Sequence, residues 1–180
     1  MKFEEYLNEG KKMTGTMIGF GLSKNKLKSI IDYVESWMKR YEVDYEMTKN
    51  LHFTLAQITG KYEKDELIRE IDKLSKGGIQ FKPKGVSLFR GINIKRDFIV
   101  MEYKPNDKYI NSFKEVAKEL EIRKFESVRP HVSICNIEQN KLDKKLYVDM
   151  VFSFPKLPTM KAKEIELWNS KFAKEYKRRL

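Results

Sequence analysis

The chain has 180 residues, 41% hydrophobic and 12% aromatic, and 37 Lys and Arg against 26 Asp and Glu give it a net charge of +11. Such a length and composition exclude a disordered chain and point to a single domain with a core of its own. One cysteine excludes an internal disulfide and fits a reducing compartment, no apolar run reaches the ~18 residues of a membrane span, and the basic balance favours a polyanionic partner, most simply nucleic acid or nucleotides.

In chain order, residues 1–9 differ from the rest. They carry one Lys against three Glu, with Phe3, Tyr6 and Leu7 at helical spacing, and are set apart as a possible leader before a domain spanning 10–180. Residues 14–22 are small and apolar and predict a first strand. Residues 25–41 predict a helix, with Leu27, Ile30, Ile31, Val34 and Met38 recurring every three to four residues and Ser23 placed to cap it. A polar approach over 44–50 leads into a strand over 51–58. A second helix is predicted over 64–75, then two strands over 79–89 and 97–103 with a turn at Lys95-Arg96. A third helix is expected over 106–121 and a strand over 131–137. Residues 142–154 have mixed periodicity, read as a helix followed by a strand, before Pro155 and Pro158 interrupt. The last strand is placed over 162–170, and 171–180 reads as a basic tail.

The only two histidines occupy matching contexts: Leu51-His52-Phe53-Thr54-Leu55 and Pro130-His131-Val132-Ser133-Ile134. In a strand, residues i and i+2 share a face. His52 and Thr54 therefore look out together, as do His131 and Ser133, while Phe53, Leu55, Val132 and Ile134 turn to a core. Only 16 of the 180 residues are Ser or Thr, so two such hydroxyls fall there by chance about once in a hundred. Two imidazoles and two hydroxyls suit a phosphodiester. One neutral ring takes a proton from the attacking oxygen, and a protonated one gives a proton to the leaving oxygen. The hydroxyls hydrogen-bond the non-bridging oxygens, where charge accumulates. A zinc site fits less well: catalytic zinc usually takes three protein ligands, and Cys135, read as sharing the face of His131 and Ser133, adds only one. No metal and no cofactor is expected.

These stretches resemble the signature of the 2H phosphoesterase superfamily, in which an apolar residue, His, any residue, Thr or Ser and an apolar residue occur twice. The second copy here begins with Pro130, and the resemblance runs from about residue 14 to 171. It implies an α+β, bilobed, pseudo-two-fold fold, with two antiparallel sheets lining a central cleft and helices outside. It also implies catalytic roles for His52 and His131 and phosphate-binding roles for Thr54 and Ser133. Residues 164–168 resemble the terminal strand of that superfamily. Trp168 is a candidate to stack on a base, Glu166 to accept from an exocyclic amine, and Arg129 to approach phosphate. Met13-Thr14-Gly15-Thr16 is similar to the opening of phage relatives that destroy cyclic oligonucleotide signals. Residues 1–9, ending Leu7-Asn8-Glu9 before Gly10, resemble the capsid-targeting peptides of large tailed phages. The resemblances imply a cytoplasmic enzyme, packaged in a capsid and injected if the leader functions, that needs no membrane and no obligate protein partner.

Three functions stay open. The chain is a phosphodiesterase acting on cyclic or short oligonucleotide messengers, an RNA-end enzyme that opens 2′,3′-cyclic phosphates or joins 2′-5′ ends, or a non-catalytic RNA-binding module.

Overall fold

Alternating apolar positions along Thr16–Gly21 (β1) and His52–Ile58 (β3) become an antiparallel pair. The computed structural model that shows this describes residues 16–58, 64–73, 79–91, 95–105, 130–169 and 174–179, and residues 107, 110, 111, 114, 115 and 118, which are helical. The possible leader, most of the third predicted helix and Arg129 lie outside them. The other elements are a 3-10 turn Lys24–Leu27, helix Lys28–Arg40 (α1), strand Tyr45–Met47 (β2), helix Lys64–Lys73 (α2), strands Ile79–Gly91 (β4), Arg96–Pro105 (β5) and His131–Glu138 (β6), helix Lys144–Phe152 (α3), and strands Met160–Ala162 (β7), Glu164–Trp168 (β8) and Lys174–Arg179 (β9).

The strands form two antiparallel sheets, in the order β3-β1-β8-β9 and β2-β6-β5-β4-β7. The chain passes between them four times, from β1 into β2, from β2 into β3, from β3 into β4 and from β7 into β8. Backbone bonds tie down the segments around β2: Leu22 N–H donates to the Leu51 carbonyl and Thr48 N–H to that of Ile134, each at 2.9 Å. The two motif strands, β3 and β6, belong to different sheets and approach with Cα atoms within 8 Å.

One hydrophobic cluster joins the sheets. Phe53 is its hub, stacked on Phe20 at 5.0 Å between ring centroids and packed on Phe81 at 4.4 Å and Tyr103 at 5.5 Å. Burying such rings is worth roughly 1.5–3 kcal/mol each, which fixes the side of β3 that faces inward. α1 buries Ile30, Val34, Trp37 and Met38, the apolar stripe its sequence carries. It is tied to α3, where the Trp37 indole donates to Asp149 at 3.1 Å and the Tyr33 hydroxyl to the Met150 carbonyl at 2.8 Å. α2 buries Leu67 and Ile71, and Arg178 of β9 donates to the Ile71 carbonyl at 3.1 Å, satisfying an acceptor in the last turn of the helix.

Several expectations are corrected. Ser23 makes no side-chain cap, because the 3-10 turn intervenes and α1 starts only at Lys28. Residues 45–47, read as a polar approach, pair with β6. No strand follows α3 directly; residues 154–159 are without regular structure. The basic tail is a strand: β9 pairs with β8 along its length, so 164–168 is not the last strand. Among the described residues no helix is long and apolar enough to cross a membrane.

Candidate functional site

The motif residues take the predicted faces. Phe53, Leu55, Val132 and Ile134 are buried in the common cluster, while His52, His131 and Ser133 are half-buried and Thr54 is buried on the opposite side. In both copies the ladder then shifts by one residue. On β3, Ile18 faces Ala56 but Gly19 faces Thr54, leaving Leu55 as an extra residue. On β6, Ile99 faces Cys135 but Val100 faces Ser133, leaving Ile134 extra. Each bulge lies three residues after its histidine. A bulge breaks the alternation, and this overturns the face assigned to Cys135. It lies in the core beside Ile134, and burial pushes its thiol up to about 12.

The two halves match beyond the motifs. Across the first sheet, His52 faces Gly21, Thr54 faces Gly19, Gly19 faces Glu166 and Met17 faces Trp168. Across the second, His131 faces Glu102, Ser133 faces Val100, Val100 faces Ser87 and Phe98 faces Phe89. Trp168 and Phe89 therefore hold equivalent places, and each meets its own histidine. Ring centroids are 5.7 Å apart for His52–Trp168 and 4.9 Å for His131–Phe89. Met17, Trp168, Val100 and Phe89 are buried yet stand outside the common cluster. They line the motif face of their sheets.

A cavity of about 430 Å³ opens at the first half, bordered by His52, Trp168, Glu166 and Gly21, with Lys24, Lys49 and Lys174 supplying positive charge. Its size is within the range that holds a small ligand such as a nucleotide. Glycine at 19 makes the arrangement possible: a Cβ there would stand 2.5 Å from the Trp168 ring and 2.2 Å from the Phe53 carbonyl oxygen. Glu166 is not a solvated acid. One oxygen lies 2.5 Å from Lys174 Nζ, and the other points towards Gly21.

His52 Nδ1 is 2.8 Å from the Asn50 carbonyl oxygen. A carbonyl only accepts, so Nδ1 carries the proton and Nε2 is the atom able to exchange one. Burial lowers the pKa of this ring from its ordinary value, and the Asn50 bond offsets that in part. On the other half, Glu102 is buried beside His131. Ser87 Oγ donates to its Oε2 at 2.7 Å, and Lys84 Nζ is 3.6 Å from the same oxygen.

The fold thus brings His52, Glu166 and Trp168 to one cavity. His131 and Ser133 stand at the matching positions of the second sheet. Among the described residues no group of three or more His, Cys, Asp or Glu could hold a metal. Sequence reading did not find Gly19, Gly21, Phe89 or Glu102. Two glycines in an apolar strand are a signal of close approach, and so is a carboxylate inside the run from Phe98 to Tyr103.

No protein-family model and no curated protein matches the sequence. Solved structures do match in fold. Kluyveromyces marxianus Usb1 is 14% identical, with 93% of this chain and 99% of that one covered and a TM-score of 0.60. The same protein with uridine monophosphate is 11% identical, with 93% and 99% covered at 0.59. Escherichia coli LigT complexed with 3′-AMP is 13% identical, with 92% and 93% covered at 0.54. The shared fold spans nearly all of this chain.

Proposed function

We propose that this chain, which has the fold of the 2H phosphoesterases, is a phosphodiesterase that works without a metal and acts on cyclic or short oligonucleotides. The observation that carries the reading is the repeated pair, imidazole and hydroxyl two residues apart, at equivalent positions on two abutting sheets. A nucleotide-sized cavity beside the first pair adds to it, and similar folds bind UMP and 3′-AMP.

In this reading one histidine removes a proton from the nucleophile and the other protonates the leaving oxygen, while Thr54 and Ser133 hold the non-bridging oxygens. The nucleophile is a neighbouring 2′-hydroxyl in an open strand, and water in a cyclic phosphate. Trp168 forms a wall against the base. Glu166 holds Lys174 with one oxygen and presents the other to an exocyclic amine, and Arg129, next to Pro130, approaches phosphate. Two histidines in opposite protonation states give a bell-shaped pH–rate profile.

The test is a panel of cyclic di- and trinucleotides, 2′-5′ oligoadenylate and RNA ending in a 2′,3′-cyclic phosphate, assayed in EDTA with the parent chain and with His52→Ala and His131→Ala. Turnover of a cyclic or short oligonucleotide, lost in both variants, is expected. Undiminished turnover in His52→Ala, or inactivation by the chelator, overturns the mechanism. Turnover of the RNA end alone moves the assignment to RNA-end chemistry, which the charge of +11 favours. Binding without cleavage identifies an RNA-binding module. The setting is the cytoplasm of an infected host. If residues 1–9 are a capsid-targeting leader, protein recovered from virions starts at Gly10.

A further inference from the structure

The two halves differ where they should match. Opposite His52 the neighbouring strand has Gly21; opposite His131 it has Glu102. Side chains directly opposite in an antiparallel pair have Cβ atoms about 4.5–5.5 Å apart, so the Glu102 side chain leaves its strand beside one imidazole, whereas the matching place beside the other is a glycine, reached only by the Glu166 carboxylate, which Lys174 pairs at 2.5 Å. Glu102 is almost fully buried and has a hydroxyl donor, Ser87, at 2.7 Å.

We propose that Glu102 is a positioning residue that keeps the His131 ring charged, which makes His131 the proton donor and His52 the proton acceptor. The inference rests on the phosphodiesterase reading for its chemical meaning, and on strand register alone for its geometry. The symmetry of the fold would otherwise leave the two rings equivalent. Desolvation acts in the same sense on the other side, since burial lowers the His52 pKa and its Nδ1 proton is held by the Asn50 carbonyl. Among the described residues, groups face Glu102 and His131 from β4 and α3. From β4 come Lys84, at 3.6 Å from the carboxylate, Ser87 and the Phe89 ring. From α3 comes Tyr147, whose phenol donates to the Val86 carbonyl and is held above its ordinary pKa by burial and by the charge of Glu102. Lys84 opposes the effect of Glu102, but it is half-exposed and screened by water.

The two-histidine composition gives a direct test. The chain shows two imidazole signals in a proton–carbon NMR titration, assigned with His52→Gln and His131→Gln. His131 is expected to titrate at higher pH than His52. Glu102→Gln should lower the His131 midpoint by about one pH unit and leave His52 in place. Lys84→Met, on a half-exposed side chain, should raise the His131 midpoint. In kcat/KM profiles, Glu102→Gln draws in the alkaline limb of the bell and spares the acid limb. A His131 midpoint that Glu102→Gln leaves unmoved, or two midpoints that move alike, overturns the proposal. If Glu102→Gln does not fold, Lys84→Met decides: a His131 midpoint that stays or falls overturns it. The titrations need no substrate, so failure to cleave any phosphodiester would defeat the functional reading and leave this one to be judged by NMR.

Discussion

Gly19 has no room for a methyl group. A Cβ would meet a backbone oxygen at 2.2 Å and the Trp168 ring at 2.5 Å, and the backbone of β3 cannot yield without opening its ladder with β1. Both must shift, the ladder opening beside Phe53 and the ring leaving its place against His52. Gly19→Ala is expected to cost ~1–3 kcal/mol, read as a Tm lowered by about 2–4 °C per kcal/mol in a chain of this size, together with loss of phosphodiester turnover. An unchanged Tm would show that Trp168 is not seated over the glycine. His52 makes a second prediction. Burial lowers its folded pKa below the ordinary 6.5, so the unfolded chain takes up this proton first. The contribution to stability is full above the unfolded value and is lost as pH falls through the folded one. Urea midpoints should therefore drop between about pH 7.5 and about pH 5, and drop less in His52→Gln. At this scale the sequence was informative where function rests on an i, i+2 pair, because a strand fixes that geometry locally. It was silent on Glu102 and Phe89, whose meaning depends on which strand lies alongside.

Bulges decide which way an element's side chains point, and sequence periodicity does not reveal them. Up to Ser133 the alternation of β6 holds; after it, Ile134 and Cys135 both enter the core. Cys135 tests this directly. With the sulfur buried and the thiol pushed up to about 12, iodoacetamide should leave the native chain unlabelled and modify it only in denaturant, as followed by intact mass. Rapid labelling of native protein would return Cys135 to the motif face beside Ser133. The elements that escaped sequence reading did so for a related reason. β9 reads Lys-Glu-Tyr-Lys-Arg-Arg and looks like a solvated tail. Its apolar and basic groups are used laterally instead: Tyr176 donates to Asp72, Arg178 reaches the end of α2, and Lys177 pairs with Glu164 at 2.6 Å. β2 is only three residues long, too short for any period to register. The long elements were legible because each carries a full apolar stripe that must be covered.

Across the whole molecule the excess of positive charge is the feature that both substrate readings claim, and salt separates them. A strand bound along many lysines and arginines loses affinity steeply with salt, with a logarithmic slope of about −0.7 for each phosphate neutralised. Of the three lysines that border the cavity, Lys174 is already held by Glu166, which leaves Lys24 and Lys49, exposed at its rim, as the cations best placed to meet substrate phosphates. Two such contacts give a slope of about −1.4, whereas an RNA tracked over six phosphates gives about −4. For a cyclic or short oligonucleotide, log kcat/KM plotted against log salt concentration should follow the shallow line, and Lys24→Ala with Lys49→Ala should flatten it further while leaving Tm unchanged. A steep slope that survives both substitutions would mean that the rest of the basic surface engages the substrate, as a long RNA requires, and that the cavity serves only the end of a polymer.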